Sequence, residues 1–174
     1  MTRLRIVLVV VVAALTAVGI AVAVPGGNFS VQATGDLEVP VRDTKAHGQA
    51  TFKLSKDGES MSYKLNVANI ENVIMAHIHE GVPGETGDIV VWLYPSTAPG
   101  ELAPAGGGRI NGRIASGTFT ANDLVGPLDG AELTDLLELL QSGEAYVNVH
   151  TNDGVGDPNT GPGDFPGGEI RGNF

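Results

Sequence analysis

From about residue 28 onward the chain is built of short runs in which apolar and polar residues alternate, separated by glycine- and proline-rich stretches. Successive side chains of a β-strand point to opposite faces, so each run reads as a strand with one buried face. Asn28 to Gln32 is the first. Gly35 to Arg42 follows as an irregular edge or loop, since Pro40 has no N–H to offer a ladder. Gly48 to Leu54 sets Ala50, Phe52 and Leu54 on one face. Ser60 to Val67 returns with Met61, Tyr63, Leu65 and Val67 inward, and Asp57-Gly58 supplies the turn between them. Ile89 to Tyr94 is apolar on both faces and predicts a central strand. Arg109 to Phe119 is a strand or strand pair, and Glu169 to Phe174 closes the chain.

Two further runs carry most of the histidine. In Val73 to Glu80 alternation puts Met75, His77 and His79 on one face, opposite Ile74, Ala76 and Ile78. In Ala145 to Thr151 it groups Tyr146, Asn148 and His150 opposite Val147 and Val149. Three of the four histidines of the protein lie in these two strands. If the strands are neighbours, three imidazoles converge near one end of the sheet.

One segment breaks the period of two. Leu133, Leu136, Leu137 and Leu140 fall at i, i+3, i+4 and i+7, the signature of one helix face. A helix is predicted over about 130–141, with Asp129 as its cap, Glu132 three residues on, and Gly143 as its stop. Seven to nine short strands with one crossover helix argue for an all-β fold, an antiparallel β-sandwich. At 174 residues the chain fits one such domain.

The first residues read differently. Arg3 and Arg5 precede an uncharged, mostly apolar run over 6–24, and Ala21-Val22-Ala23 fits a small-x-small cleavage site. Residues 1–23 are therefore expected to be an export signal, with an uncleaved membrane anchor as the alternative. Residues 24–32 form an N-terminal segment and 33–174 the domain. Positive charge ahead of the apolar run places the remainder outside the cytoplasm, secreted or in the cell envelope. Membrane contact is expected only through residues 1–23.

The net charge is −10 over the whole chain; removing residues 1–23 takes away two arginines and no acid, leaving −12. So acidic a domain argues against nucleic-acid or anionic-lipid partners, which require basic patches. No cysteine is present. Disulfides, thiolate catalysis and cysteine-ligated zinc are thereby excluded.

Metal binding is the sharpest chemistry these residues offer. His77 and His79 at i and i+2 set two imidazoles on one face, roughly 7 Å apart at the Cα level. His150 from a neighbouring strand would make a three-nitrogen site suited to zinc or copper, with Met75 and Glu80 as possible further ligands. The competing reading has the histidines brace the sheet end through hydrogen bonds to Asn148, Thr151 or backbone carbonyls. Asp153, Asp157 and Asp164 in the long loop over 152–168 lack calcium-loop spacing and read as an exposed acidic loop. Glu169 and Arg171 share one strand face and read as structural, each in an ion pair with a charge on an adjacent strand. No nucleophile motif and no phosphate-binding glycine loop precede a helix, so an enzyme is not expected.

Several blocks taken together resemble the CHRD domain, a module repeated in chordin and found singly in exported microbial proteins. They are Gly48-Gln49-Ala50-Thr51-Phe52, Ala76-His77-Ile78-His79-Glu80-Gly81 with Gly84 and Gly87, and Val90-Val91-Trp92-Leu93. Gly126-Pro127-Leu128, Ser142-Gly143-Glu144-Ala145-Tyr146-Val147-Asn148-Val149-His150-Thr151 and Pro166-Gly167-Gly168-Glu169-Ile170-Arg171-Gly172 complete the set. The loop over 152–168 is longer than the family's connection there, and His47 falls outside its pattern. The resemblance implies an immunoglobulin-like β-sandwich, distantly like copper/zinc superoxide dismutases. It also implies an extracellular binding or structural module, with an extracellular protein partner as the alternative to metal. A superoxide-dismutase-like oxidoreductase is the remote third reading, because four histidines and no cysteine do not supply that family's site.

Overall fold

The computed structural model describes residues 27–174; the leader or anchor expected over 1–23 lies outside the described residues. Eight strands form one continuous antiparallel sheet: β1 (Asn28–Thr34), β2 (His47–Leu54), β3 (Met61–Glu71), β4 (Val73–Glu80), β5 (Ile89–Tyr94), β6 (Arg109–Phe119), β7 (Ala145–Thr151) and β8 (Ile170–Asn173). Their spatial order is β5-β4-β7-β8-β1-β2-β3-β6. Between β8 and β1 the ladder narrows to one pair, Thr34 with Arg171. There the sheet folds over into a sandwich of two leaves, β5-β4-β7-β8 and β1-β2-β3-β6. Tyr63 on β3 spans the sandwich, donating its hydroxyl hydrogen to the Leu93 carbonyl of β5 at 2.7 Å.

The core between the leaves is the one the alternation implies. Ala50, Phe52, Met61, Tyr63, Leu65 and Val67 from one leaf meet Ala76, Ile78, Val147, Val149 and Ile170 from the other. The expected hairpin joins β2 and β3, with Gly58 at φ 80° in its turn. β3 continues past Val67 to Glu71 through a register shift against β6. Asn72, at φ 55°, then turns the chain from one leaf into the other. β1 begins at Asn28, so the residues placed ahead of the domain on sequence already belong to the sheet.

The helix α1 (Leu133–Ser142) buries Leu133, Leu136, Leu137 and Leu140 against the core. Its start is later than expected. Asp129 closes a 3₁₀ turn over Gly126–Leu128, and Gly130 takes φ 77°, a left-handed value that interrupts a right-handed helix. The cap is Glu132, whose backbone N–H is held by the Asp135 carboxylate at 2.8 Å. Gly143 ends the helix in the left-handed conformation, as expected.

Strand β5 is not central. It is the edge of its leaf, and its apolar character has another cause: Leu124 bridges Val91, and the Val125 N–H reaches the Val90 carbonyl, covering its outer side. Among the described residues no helix is long and apolar enough to cross a membrane.

Candidate metal centre

Strands β4 and β7 are neighbours, although more than 60 residues separate them in sequence. The register sets Met75 opposite His150, His77 opposite Asn148 and His79 opposite Tyr146. The histidine face is therefore the outer face of this leaf, turned away from the apolar core. It is nevertheless buried: every residue of β7 is buried, and His77, His79 and His150 are 0, 8 and 6% exposed.

Three loops make this second, polar core. The loop after β4 is drawn down by Arg171, whose guanidinium donates to the Glu85 carbonyl at 2.6 Å and the Val82 carbonyl at 2.9 Å. The segment after β1 lays Glu38 against Asn148, and Arg42 donates to the Gly168 carbonyl. The loop before β8 brings the Pro166 carbonyl over β7. Glu169 and Arg171 thus do not make the expected ion pairs with charges on an adjacent strand. Glu169 is fully buried and accepts from Thr44, Thr151 and the Gly163 N–H, while Arg171 donates to carbonyls and to Asn173. Neutral hydroxyls, an amide and backbone groups satisfy both charges locally, so neither requires a charged partner. Nor is the acidic loop uniformly exposed. Asp164 is buried, and its carboxylate holds the N–H and hydroxyl of Thr160.

Each imidazole offers one nitrogen, and these nitrogens lie within 4.8 Å of one another. Carbonyl oxygens can only accept, which settles two tautomers. His150 Nδ1–H donates to the Pro166 carbonyl at 2.8 Å, and His79 Nδ1–H donates to the Gly87 carbonyl at 3.0 Å. Nε2 of each neutral ring therefore carries its lone pair. His150 Nε2 accepts from His77 Nδ1–H at 3.3 Å, which leaves His77 Nε2 as a lone pair too. His77 Nε2 and His79 Nε2 are buried and have no hydrogen-bond partner. An unpartnered buried polar atom costs about 1–3 kcal/mol, which a ligand would relieve.

The electrostatics keep the rings neutral. Burial pushes the His77 pKa down to about 2, with His150 and His79 adding to the effect. Burial brings His150 to about 4, against the Pro166 carbonyl bond, which raises it. His79 is also lowered, first by burial and further by the Arg171 charge. Neutral imidazole is the metal-binding form.

Aromatic rings wall the cluster. Trp92, directly across from His77 on β5, meets it edge-on at 4.1 Å between centroids. Tyr146 stacks on His79 at 4.9 Å and 6°, and the Arg171 guanidinium lies over the Tyr146 ring, 3.5 Å from its centroid. Met75 shares the face and stands half-buried opposite His150. Glu80 does not join: alternation turns it to the opposite face from His79, and its carboxylate is not among the converging groups. Asn148 and Thr151, the side chains expected to brace the histidines, are instead engaged by Glu38 and Glu169. His47 is exposed on β2, away from the cluster.

Sequence reasoning allowed for backbone carbonyls as partners of the histidines but did not identify those of Gly87 and Pro166, because a backbone acceptor carries no side-chain signature. It also missed Glu38 and Arg171 as parts of this core. The one signal available was the tight Gly81–Gly87 loop, which brings the Gly87 carbonyl back over β4.

The model of the CHRD domain matches residues 29–157, about three quarters of the chain. The chain therefore belongs to the CHRD domain family. Residues 158–174 follow the match and complete the same sheet with β8 while supplying the Pro166 carbonyl. No curated protein and no solved structure matches the chain.

Proposed function

We propose that this CHRD domain is an extracytoplasmic binding module whose histidine cluster holds a transition-metal ion, zinc or copper. The observation that carries the reading is the pair of buried, unpartnered Nε2 lone pairs on His77 and His79, in a cluster where one ring nitrogen from each of His77, His79 and His150 lies within 4.8 Å of the others. The Pro166 and Gly87 carbonyls support it further, since a metal-bound histidine ordinarily gives its other N–H to such an acceptor. His77, His79 and His150 would hold the ion. Export rests on Arg3 and Arg5 ahead of the apolar run over 6–24.

Metal analysis of the purified protein tests the reading, with His79→Gln and the double variant His77→Ala/His79→Ala as controls. One zinc or copper per chain, lost in both variants, is the expected result. Trp92 is the protein's single tryptophan and touches His77, so its fluorescence reports the same event. No bound ion, or binding indifferent to the substitutions, overturns the reading. The cluster is then a brace in which His77 and His150 hydrogen-bond one another, and the module recognises a protein partner instead.

A further inference from the structure

We infer that the cluster selects a monovalent soft cation, Cu(I), over divalent zinc; this rests on the metal reading above and narrows it. Four observations point the same way. First, the converging ligands are three neutral imidazoles with no carboxylate among them, so the ligand set itself brings no negative charge to offset a dication. Secondly, the rings are almost wholly buried. The cost of removing an ion from water rises with the square of its charge, making a dication about four times as expensive to desolvate as a monocation of equal size. Zinc on three histidines also takes a water in an open fourth position, whereas here Trp92 and Tyr146 pack directly on two of the rings.

Thirdly, a fixed positive charge already occupies this polar core. Arg171 sits over Tyr146, which in turn stacks on His79, and its carbonyl bonds prevent it from swinging away. The acids around this core compensate little: burial raises the Glu38 pKa to about 7, Glu169 is taken up by Thr44, Thr151 and the Gly163 N–H, and Asp88 acts on His79 less than Arg171 does. Fourthly, Met75 stands opposite His150 on the ligand face, offering a thioether that suits Cu(I) and is indifferent to zinc.

The full chain is titrated anaerobically with Cu(I) against a colorimetric Cu(I) chelator, with Ag(I) as a redox-silent probe, and separately with Zn(II) against a zinc chelator. Trp92 fluorescence reads each titration. One Cu(I) or Ag(I) per chain, bound at least 100-fold more tightly than Zn(II), is expected. Zinc affinity equal to or above that of Cu(I) overturns the selectivity while leaving the metal reading intact. Failure of every ion to bind in a histidine-dependent way overturns the metal reading itself. Arg171→Met removes the local charge and should raise zinc affinity about tenfold with little change for Cu(I). If circular dichroism shows that variant unfolded, Met75→Leu carries the test: half-buried and similar in volume, it should keep the fold and weaken Cu(I) about tenfold without affecting zinc. Unchanged Cu(I) affinity in Met75→Leu removes the thioether from the site and overturns its part in the selectivity.

Discussion

Glu38 and Asn148 are joined by one hydrogen bond, Asn148 Nδ2–H to Glu38 Oε2 at 3.3 Å, while the other carboxyl oxygen, Glu38 Oε1, and the amide oxygen, Asn148 Oδ1, are buried without a partner. Both of those oxygens lie 2.6 Å from the point where a Cβ on Gly168 would stand. A single proton on Oε1 would satisfy both at once, making a closed acid–amide pair. Burial, opposed by the Val39 N–H and the charges of Arg171 and Arg42, raises the Glu38 pKa from 4.5 to about 7. Geometry and electrostatics thus agree on a carboxyl that stays protonated well above the usual range.

Glu38→Gln keeps this pair as two amides and removes its pH dependence. A raised carboxyl pKa gives the wild type a contribution that is full below pH 4.5 and is lost as pH climbs through 7. The variant should therefore match the wild type near pH 4.5 and exceed it by roughly 3 kcal/mol at pH 8. Urea unfolding of both proteins across that range checks it. A stability difference that does not grow with pH rules out the protonated pair.

The histidines impose the opposite slope. Below pH 6.5 the unfolded chain takes up protons that His77 and His150 refuse until about pH 2 and 4. Their contribution is full above 6.5 and declines as pH falls, at about 1.4 kcal/mol per pH unit for each ring. Glu38 cancels one of these between pH 4.5 and 6.5. The metal-free protein should accordingly be most stable near pH 6.5 and lose at least about 1.4 kcal/mol per unit on acidification to 4.5. Urea midpoints in the presence of a chelator measure this, and a flat profile would mean that no more than one ring refuses its proton in the folded state, its slope cancelled by Glu38.

Arg171→Lys should loosen the loop over 81–88. A lysine ammonium cannot span the Val82 and Glu85 carbonyls that the guanidinium fork reaches together, nor cover Tyr146 as a plane. A loss of about 2–4 kcal/mol is expected. Amide exchange should accelerate at Gly87, whose N–H rests on the Tyr146 hydroxyl. Unchanged exchange there would show that the loop is held by something other than Arg171.

Gly168→Ala should be among the costliest glycine substitutions. The residue sits at φ 121°, and an added Cβ would fall 2.6 Å from both Glu38 Oε1 and Asn148 Oδ1. A loss above about 3 kcal/mol follows from the clash and the backbone strain together. Gly130→Ala is the control: φ is 77° with open space around the added methyl, so only about 1 kcal/mol should be lost. Equal effects in thermal unfolding would mean that Gly168 is conserving backbone freedom alone and not the Glu38–Asn148 contact.

How far the sequence carries can be seen at individual positions. The period of two placed Ala76 and Ile78 inward and His77 and His79 on the other face, and it grouped Tyr146, Asn148 and His150. Asp57-Gly58 marked its hairpin, and the four leucines marked the buried face of α1. These follow from local geometry, because strand alternation and helix period act over a few residues. Periodicity names a face but not the neighbour or the cover on that face. That β4 lies beside β7, that β5 is an edge closed by Leu124, and that loops bury the polar face came only from contacts between distant segments. The same holds for the Gly87 and Pro166 carbonyls that orient His79 and His150, and for Glu38, 110 residues from Asn148. The sequence by itself determined that three histidines share strand faces. Only tertiary structure decided that they converge, neutral and buried, with two lone pairs left over, because desolvation and hydrogen-bond partners are supplied by whatever packs on top.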